Sequence, residues 1–155
     1  MDYKLRKATL EDMDSIMNLN QQLFNYEYEN FDQTIAWDWP PKNDSYFRKS
    51  IEAEDSLALV VVMGKKIVGY LIGSIGKGEN YRSIKKIGEL DNMFILPEAR
   101  GKGIGSALCQ EFLKWVKDKG VKRVKVVASA KNKQAIACYK RNGFFEYNCE
   151  LECEL

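Results

Sequence analysis

The period of the hydrophobic positions changes several times along the chain. Residues 3–8, "YKLRKA", alternate and predict a strand. Thr9 followed by Asp12 has the form of a helix start, with a carboxylate in the first turn. Behind it Met13, Ile16, Met17, Asn20, Leu23 and Phe24 recur at helical spacing. "WPPKND" (39–44) breaks the chain, and Asp44 or Ser45 can cap a short helix over 45–53. "SLALVVVM", "GKK" and "IVGYLIGSI" read as two apolar strands joined by a tight turn, a hairpin. "GKGENYRS" is a loop, and "KKIGELDNMFIL" is a further strand ended by Pro97. From Gly103 onward Ile104, Leu108, Phe112, Trp115 and Val116 share one helical face, with Gly120 as the stop. Residues 121–129 form a strand, and Asn132 opens a helix through Arg141 that Gly143 ends. The segment Glu150-Leu151-Glu152-Cys153-Glu154-Leu155 alternates acid with apolar, which predicts a strand with one buried face. The order β-α-α-β-β-β-α-β-α-β, without repeat or linker, predicts one α/β domain over 1–155.

Composition removes several chemistries. The 155 residues contain no histidine, which excludes a Ser-His-Asp triad, a Cys-His pair and every histidine metal site. No metal is expected, and a general base has to be a carboxylate, tyrosine, lysine, cysteine or water. The longest apolar run, 57–63, is strand-sized, so no membrane span is expected. The first residues, "MDYK", carry no export signal, and a cytoplasmic location follows as the expectation. Four cysteines (109, 138, 149, 153) form no CxxC pair and read as reduced, mostly core thiols.

Charge is segregated. Residues 24–44 carry five acids (Glu27, Glu29, Asp32, Asp38, Asp44) against Lys42, whereas residues 100–141 carry twelve Lys or Arg against Glu111 and Asp118. A basic half suits an anionic partner and an acidic stretch a cationic one; solvated faces without function are the plain alternative. The aromatics lie in the acidic stretch rather than among the lysines, which is the wrong arrangement for a nucleic-acid track.

Three glycines stand where the helix behind Pro97 begins, in Arg100-Gly101-Lys102-Gly103-Ile104-Gly105. Bare N–H groups at a helix start, with two cations beside them, suit a pyrophosphate. A Walker loop fails because Lys102 is followed by Gly103, and a Rossmann fingerprint fails because its third glycine comes one residue early.

Arg-Gly-Lys-Gly-Ile-Gly after a strand does resemble the signature of the GNAT (Gcn5-related N-acetyltransferase) superfamily, Gln/Arg-x-x-Gly-x-Gly/Ala. A second signature of that family is matched by Asn132, Ala135, Tyr139 and Gly143-Phe144. The resemblance spans nearly the whole chain. It implies an α/β (α+β) GNAT fold: a central mixed, mostly antiparallel sheet, splayed to admit acetyl-CoA, with helices on both faces. It places the pantetheine arm along Met93, Phe94 and Ile95, and the pyrophosphate on the N–H groups around Arg100, Gly101, Lys102, Gly103, Ile104, Gly105 and Ser106. It brings Asn132 to the pantetheine. Side chains at the three glycines would then block the phosphate.

The implied reaction is acetyl transfer from acetyl-CoA to an amine, releasing coenzyme A. A phenol can protonate a leaving thiolate, and the resemblance gives that role to Tyr139, packing against the cofactor being the alternative. It offers Glu89 or Asp91 as base, without choosing between them; alternation puts both on one strand face with Met93 and Ile95. A backbone N–H near Ile95 is the implied oxyanion donor. Cys138, with no histidine to activate it, reads as a core filler. The family's acceptor wall corresponds here to an aromatic and acidic segment (Tyr26, Glu27, Tyr28, Glu29, Trp37 among it), which favours a small cationic acceptor, polyamine-like or aminoglycoside-like. A protein N-terminal or lysine substrate, or an acyl-CoA-binding module without turnover, are the competing readings. The expected partners are acetyl-CoA and the amine, with a homodimer allowed and no nucleic acid or membrane.

Overall fold

A computed structural model describes residues 2–155. Five strands form one sheet in chain order: β1 (Lys4–Lys7), β2 (Ser56–Met63), β3 (Lys66–Lys77), β4 (Lys86–Ile95) and β5 (Val124–Val126). The first four are antiparallel neighbours, and β5 pairs parallel to β4. The helices are α1 (Met13–Asn30), α2 (Asp44–Glu52), α3 (Ile104–Asp118) and α4 (Lys133–Arg141).

Helices cover both faces. On β3 the buried Tyr70 hydroxyl meets Asn20 of α1 at 2.7 Å, while Gly73, of opposite parity, faces Phe112 of α3. A Cβ at Gly73 would lie 2.3 Å from the Phe112 ring, so the α3 contact requires the bare backbone there. The apolar rows of β2 and β3 (Leu57, Leu59, Val61; Leu71, Ile72) are buried between the layers, together with Ile16, Phe47, Leu108 and Phe112.

Local signals explain the element ends. Asp12 accepts the Thr9 N–H at 2.8 Å and clamps Arg6 of β1 through both oxygens, at 2.7 and 3.0 Å, which ties the first strand to the start of α1. That double partnership holds the Asp12 carboxyl below its ordinary value, the Arg6 hydrogen bond being the main cause. Asn132 caps α4, its Oδ1 accepting the Ala135 N–H at 3.1 Å. The α2 helix runs one residue ahead of the expected 45–53, over Asp44–Glu52, and Asn43 rather than Asp44 or Ser45 takes the cap position.

Three expectations need correction. The strand expected over 121–129 is confined to Val124–Val126, because β5 pairs with β4 only from Gly88 to Leu90 and then parts from it. Residues 150–155 form no strand and bury no face; they are exposed and paired with nothing in the sheet. The cysteines are free as expected, but Cys149 and Cys153 are exposed, Cys138 is half-buried and only Cys109 is buried.

Candidate active site

The site grows from an irregularity in β4. Ile72 of β3 pairs with Asn92 and Gly73 with Leu90, so Asp91 is left over as a bulge. A bulge reverses the alternation beyond it. Gly88, before the bulge, faces Val116 of α3, and Glu89 takes the opposite face with Asp91, which meets Tyr46 of α2. After the bulge Asn92 also faces α1 and α2, bonding Asn20 and Tyr46. Met93 and Ile95 therefore turn to α3, their side chains 4.0 and 3.5 Å from a Cβ built at Gly105. Strict alternation had put these two beside Glu89 and Asp91; the extra residue moves them to the other face.

Where β4 and β5 part, a cleft of about 410 Å³ opens. Its α1 and α2 side is built by Leu23, Phe24, Glu27, Trp39 and Tyr46, and its floor by Glu89, Asp91, Asn92 and Met93. Val126, Val127 and Ala128 with Asn132, Ala135 and Tyr139 close the far side. Three carboxylates thus face one cavity with four aromatic rings. Phe24 stacks on Trp39 at 5.6 Å, and Trp39 meets Tyr46 edge-on at 5.3 Å.

The carboxylates differ. Burial, reinforced by the neighbouring Glu89 charge, pushes the Asp91 carboxyl up to about 6, although the cleft leaves it open to solvent; the Tyr46 hydroxyl 3.4 Å away opposes the shift. Glu89 lies 3.6 Å from Lys125 of β5. Burial also raises Glu27. A chain of polar groups, buried at its Asn20–Tyr70 end and half-buried at Asn92 and Tyr46, stands behind Asp91. The Asn20 amide donates to Tyr70 and to Asn92 Oδ1, and the Asn92 amide donates to the Tyr46 hydroxyl at 2.8 Å.

Tyr139, nearly buried on α4, lines the cleft and meets Phe144 edge-on at 5.6 Å. Burial raises its phenol well above the ordinary value, helped by Cys109, Cys138 and Glu27 nearby, so the hydroxyl stays protonated at neutral pH. Cys138 is not a plain core filler. Its sulfur sits 3.3 Å from a Cβ position on Gly105, in the seam between α3 and α4, and shares a hydrogen bond with Cys109 that lowers Cys138 and raises Cys109.

The glycine segment has two explanations rather than one. Gly101 and Gly103 have φ of +75° and +76°, a left-handed backbone that side chains rarely adopt, and a Cβ on either would meet nothing within 4 Å. Gly105 lies inside α3, where Cys138 and Ile95 leave little room. The first helical bond of α3 runs from the Ala107 N–H to Gly103, so the preceding N–H groups lack a turn of carbonyls before them. Arg100 points back: its Nε donates to the Ile95 carbonyl at 2.8 Å, with the guanidinium near the Phe94 and Tyr26 rings. Lys102 reaches the Glu98 carbonyl at 3.2 Å. Ile104 is buried, and the Ser106 hydroxyl accepts from Asn142 at 3.1 Å.

Of the expected acceptor-wall residues, only Glu27 lines the cleft. The α1 helix runs on to Asn30, so successive residues fan out around it. Glu29 is exposed, Tyr26 lies beside Arg100, and Trp37 is 54% exposed in the loop beyond. Spacing of three and four residues from Leu23 and Phe24 was the signal that would have singled out Glu27. Tyr46 and Asn92 carried no such signal.

A profile of the Acetyltransferase (GNAT) family matches residues 14–144. The chain is 28% identical over 149 residues to an uncharacterized N-acetyltransferase of Methanocaldococcus jannaschii, covering 93% of this chain and 61% of that protein's length. It is 25% identical over 150 residues to an N-alpha-acetyltransferase of Sulfurisphaera tokodaii, covering 94% and 81%. The solved structure of AAC(6')-Iy in complex with a bisubstrate analog, CoA-S-monomethyl-acetylneamine, superposes with a TM-score of 0.79 at 16% identity, over 100% and 99% of the two chains. Two signatures, the splayed mixed sheet and these matches agree: the chain belongs to the Acetyltransferase (GNAT) family.

Proposed function

We propose that this protein is an N-acetyltransferase that moves the acetyl group of acetyl-CoA to a primary amine of a small cationic acceptor. The observation that carries the reading is the cleft at the β4–β5 divergence, where Glu27, Glu89 and Asp91 face Phe24, Trp39 and Tyr46, with Tyr139 opposite. Carboxylates beside aromatic faces attract an ammonium by Coulomb and cation–π terms. The left-handed glycines open the start of α3 to a pyrophosphate, which fits because nothing stands in front of them. The unpaired edge of β4 beyond Leu90 fits an extended pantetheine arm. Asn132 spends its carbonyl on capping α4, which leaves its amide for that arm.

In this reading the ammonium loses a proton to Asp91, and the free amine attacks the thioester carbonyl. The carbonyl electrons move to oxygen, and a β4 backbone N–H near Ile95 stabilises the oxyanion. The C–S bond then breaks, the thiolate takes the Tyr139 phenol proton, and the second proton lost from the acylated nitrogen restores the phenol by way of solvent. Asp91 is preferred to Glu89 because its affinity for a proton is raised towards neutrality and because Tyr46 fixes its orientation, whereas Glu89 is engaged by Lys125. We further place the enzyme in the cytoplasm, as a homodimer.

The N-alpha-acetyltransferase relative favours a second reading, a protein amino terminus as acceptor. One experiment separates the two. Polyamines, aminoglycosides and peptides are incubated with acetyl-CoA, and products are scored by mass spectrometry. Acetylated small amines support the proposal, acetylated peptides alone favour the second reading, and no product with any acceptor overturns both.

A further inference from the structure

The cleft presents three carboxylates, and one of them already has a cation of the protein's own. Glu89 and Lys125 are register partners on the parallel pair of β4 and β5. Val124 faces α3, its side chain 3.1 Å from a Cβ built at Gly88, so Lys125 takes the other face of the sheet, beside Glu89. The Lys125 ammonium stands 3.6 Å from Glu89 Oε2 and 3.8 Å from Glu79 Oε1, which belongs to the loop between β3 and β4. Both distances are too long for a hydrogen bond, so charge alone holds the ammonium between two carboxylates. Among the described residues, this is the one ion pair made by Glu27, Glu89 or Asp91.

Glu79 is held in place independently of the lysine. The Gly78 N–H donates to the Lys85 carbonyl and the Arg82 N–H to the Glu79 carbonyl, both at 3.0 Å, which closes the loop on itself. A Cβ on Gly78 would lie 2.0 Å from the Ile84 carbonyl oxygen, so the turn that aims Glu79 needs a bare backbone. Arg82 lies 3.8 Å from Glu79 Oε2 and rests over the Tyr147 ring at 4.3 Å. Glu79 Oε2 is itself buried and accepts no hydrogen bond. The Lys125 ammonium therefore marks a place where a positive charge meets one carboxylate of the cleft and a second, fixed one just outside it. An acceptor ammonium that displaced Lys125 would replace one ammonium by another at the same two carboxylates. That exchange gains nothing.

We propose that Lys125 is a specificity-determining residue: by standing in for a ligand ammonium between Glu89 and Glu79, it leaves the cleft with a free carboxylate for two acceptor charges and not for a third. Asp91 and Glu27, which make no ion pair, are the two that remain. A diamine then satisfies the site, and a third positive charge on the acceptor adds no affinity. The inference rests on the cationic-acceptor reading above and deepens it to the number of charges the acceptor carries.

Calorimetry on the full-length protein with coenzyme A present tests it, using linear aliphatic mono-, di- and triamines as ligands. Wild type is expected to bind the diamine more tightly than the monoamine, and the triamine no more tightly than the diamine. Lys125→Met keeps the apolar stem and removes the charge. It is expected to bind the triamine about three- to tenfold more tightly than the diamine, the size that two half-exposed ion contacts supply. Lys125→Arg restores the wild-type pattern, and adding Glu89→Gln to Lys125→Met removes the gain. Lys122→Met, which takes the same charge from an exposed position on the approach to β5, controls for net charge. A triamine that already outbinds the diamine by that factor in the wild type overturns the proposal. So does a missing gain in Lys125→Met, an equal gain in Lys122→Met, or a gain that survives Glu89→Gln. Acetyl transfer to the same amines is followed in parallel. The expected binding pattern without product would sink the transferase reading and leave Lys125 in its role; product with a ladder that Lys125→Met does not change would do the reverse. Binding of no amine by any of these proteins overturns both.

Discussion

The Tyr46 hydroxyl stands 3.4 Å from Asp91 Oδ2 and accepts the Asn92 amide at 2.8 Å, so a helix side chain fixes the carboxylate that the β4 bulge exposes. Two neighbours act on Asp91 with opposite sign. Glu89 raises its proton affinity by like charge, and Tyr46 lowers it by hydrogen bonding to the charged form. If Asp91 is the base, kcat/KM climbs with pH through about 6 in the wild type. The Glu89→Gln variant is expected to move that limb to lower pH and Tyr46→Phe to higher pH, while Asp91→Asn abolishes it. Limbs that stay in place in all three variants would remove Asp91 from the chemistry. Stability gives an independent reading: a carboxyl raised above its ordinary 3.8 loses stability as pH climbs from 3.8 through about 6. Asp91→Asn is therefore expected to raise the melting temperature at pH 8, and not at pH 3.

The fold was largely legible because its signals are local. Helical spacing set α1, α3 and α4, and apolar runs around Gly64 set the β2–β3 hairpin. The bulge at Asp91 was not legible, since one extra residue leaves no mark in a strand that alternates on both sides of it. Asn92 and Tyr46 were hidden for the same reason: each is an ordinary polar residue until the bulge and α2 bring them together. The segment 150–155 displayed a strand's alternation, but alternation says how a strand pairs and not with whom. Gly101 and Gly103 were read as bare backbone for a phosphate and not for the left-handed conformation they adopt, and the crowding at Gly105 depends on Cys138, thirty-three positions away in sequence.

Tyr139→Phe removes a single oxygen from a nearly buried ring that keeps its packing against Phe144. As general acid the hydroxyl is worth roughly 10²–10⁴ in rate. The variant is expected to lose kcat by about that factor with little change in KM. Steady-state kinetics at saturating acetyl-CoA measures this. A rate near that of the wild type would leave Tyr139 as a wall of the cleft.

The Asn20 amide is fully buried and donates to the buried Tyr70 hydroxyl at 2.7 Å. Asn20→Ala strands that hydroxyl and unfastens Asn92, at a cost of about 1–3 kcal/mol for a buried group left unpaired. Tyr70→Phe keeps the Asn20–Asn92 bond and is expected to cost less. Urea midpoints order the two variants, and the reverse order would show that the packing of Tyr70, not the polar chain, dominates here.

Gly103→Val places a β-branched residue at a φ of +76°, in front of the first N–H groups of α3. Acetyl-CoA affinity by calorimetry is expected to vanish, with the sheet intact by circular dichroism. Gly120→Val is the control, because Gly120 has a φ of +78° at the far end of the same helix and shares the strain without the site. Equal cofactor affinity in the two variants would assign the glycine to backbone strain alone.

The last expectation concerns the acceptor. Of the five acids in segment 24–44, Glu27 is the one that lines the cleft, where it stands with Glu89 and Asp91 among aromatic rings. A monoamine needs one carboxylate to receive its ammonium, but a diamine presents a second charge that must be met elsewhere. Glu27, on the α1 side, is the residue placed to meet it. Wild type is therefore expected to favour a diamine over a monoamine of equal length in kcat/KM, and Glu27→Gln to reduce that preference while leaving the monoamine rate nearly unchanged. Coulomb attraction weakens as the Debye length falls from about 10 Å at 0.1 M salt to about 3 Å at 1 M, so the wild-type preference should shrink with salt and the variant's should not. Burial raises the Glu27 proton affinity, which means the diamine preference should also fade on acidification before it fades for an ordinary glutamate. Equal rates for both amines in the wild type would sink the cationic acceptor, and an unchanged preference in Glu27→Gln would move the second charge to a different residue.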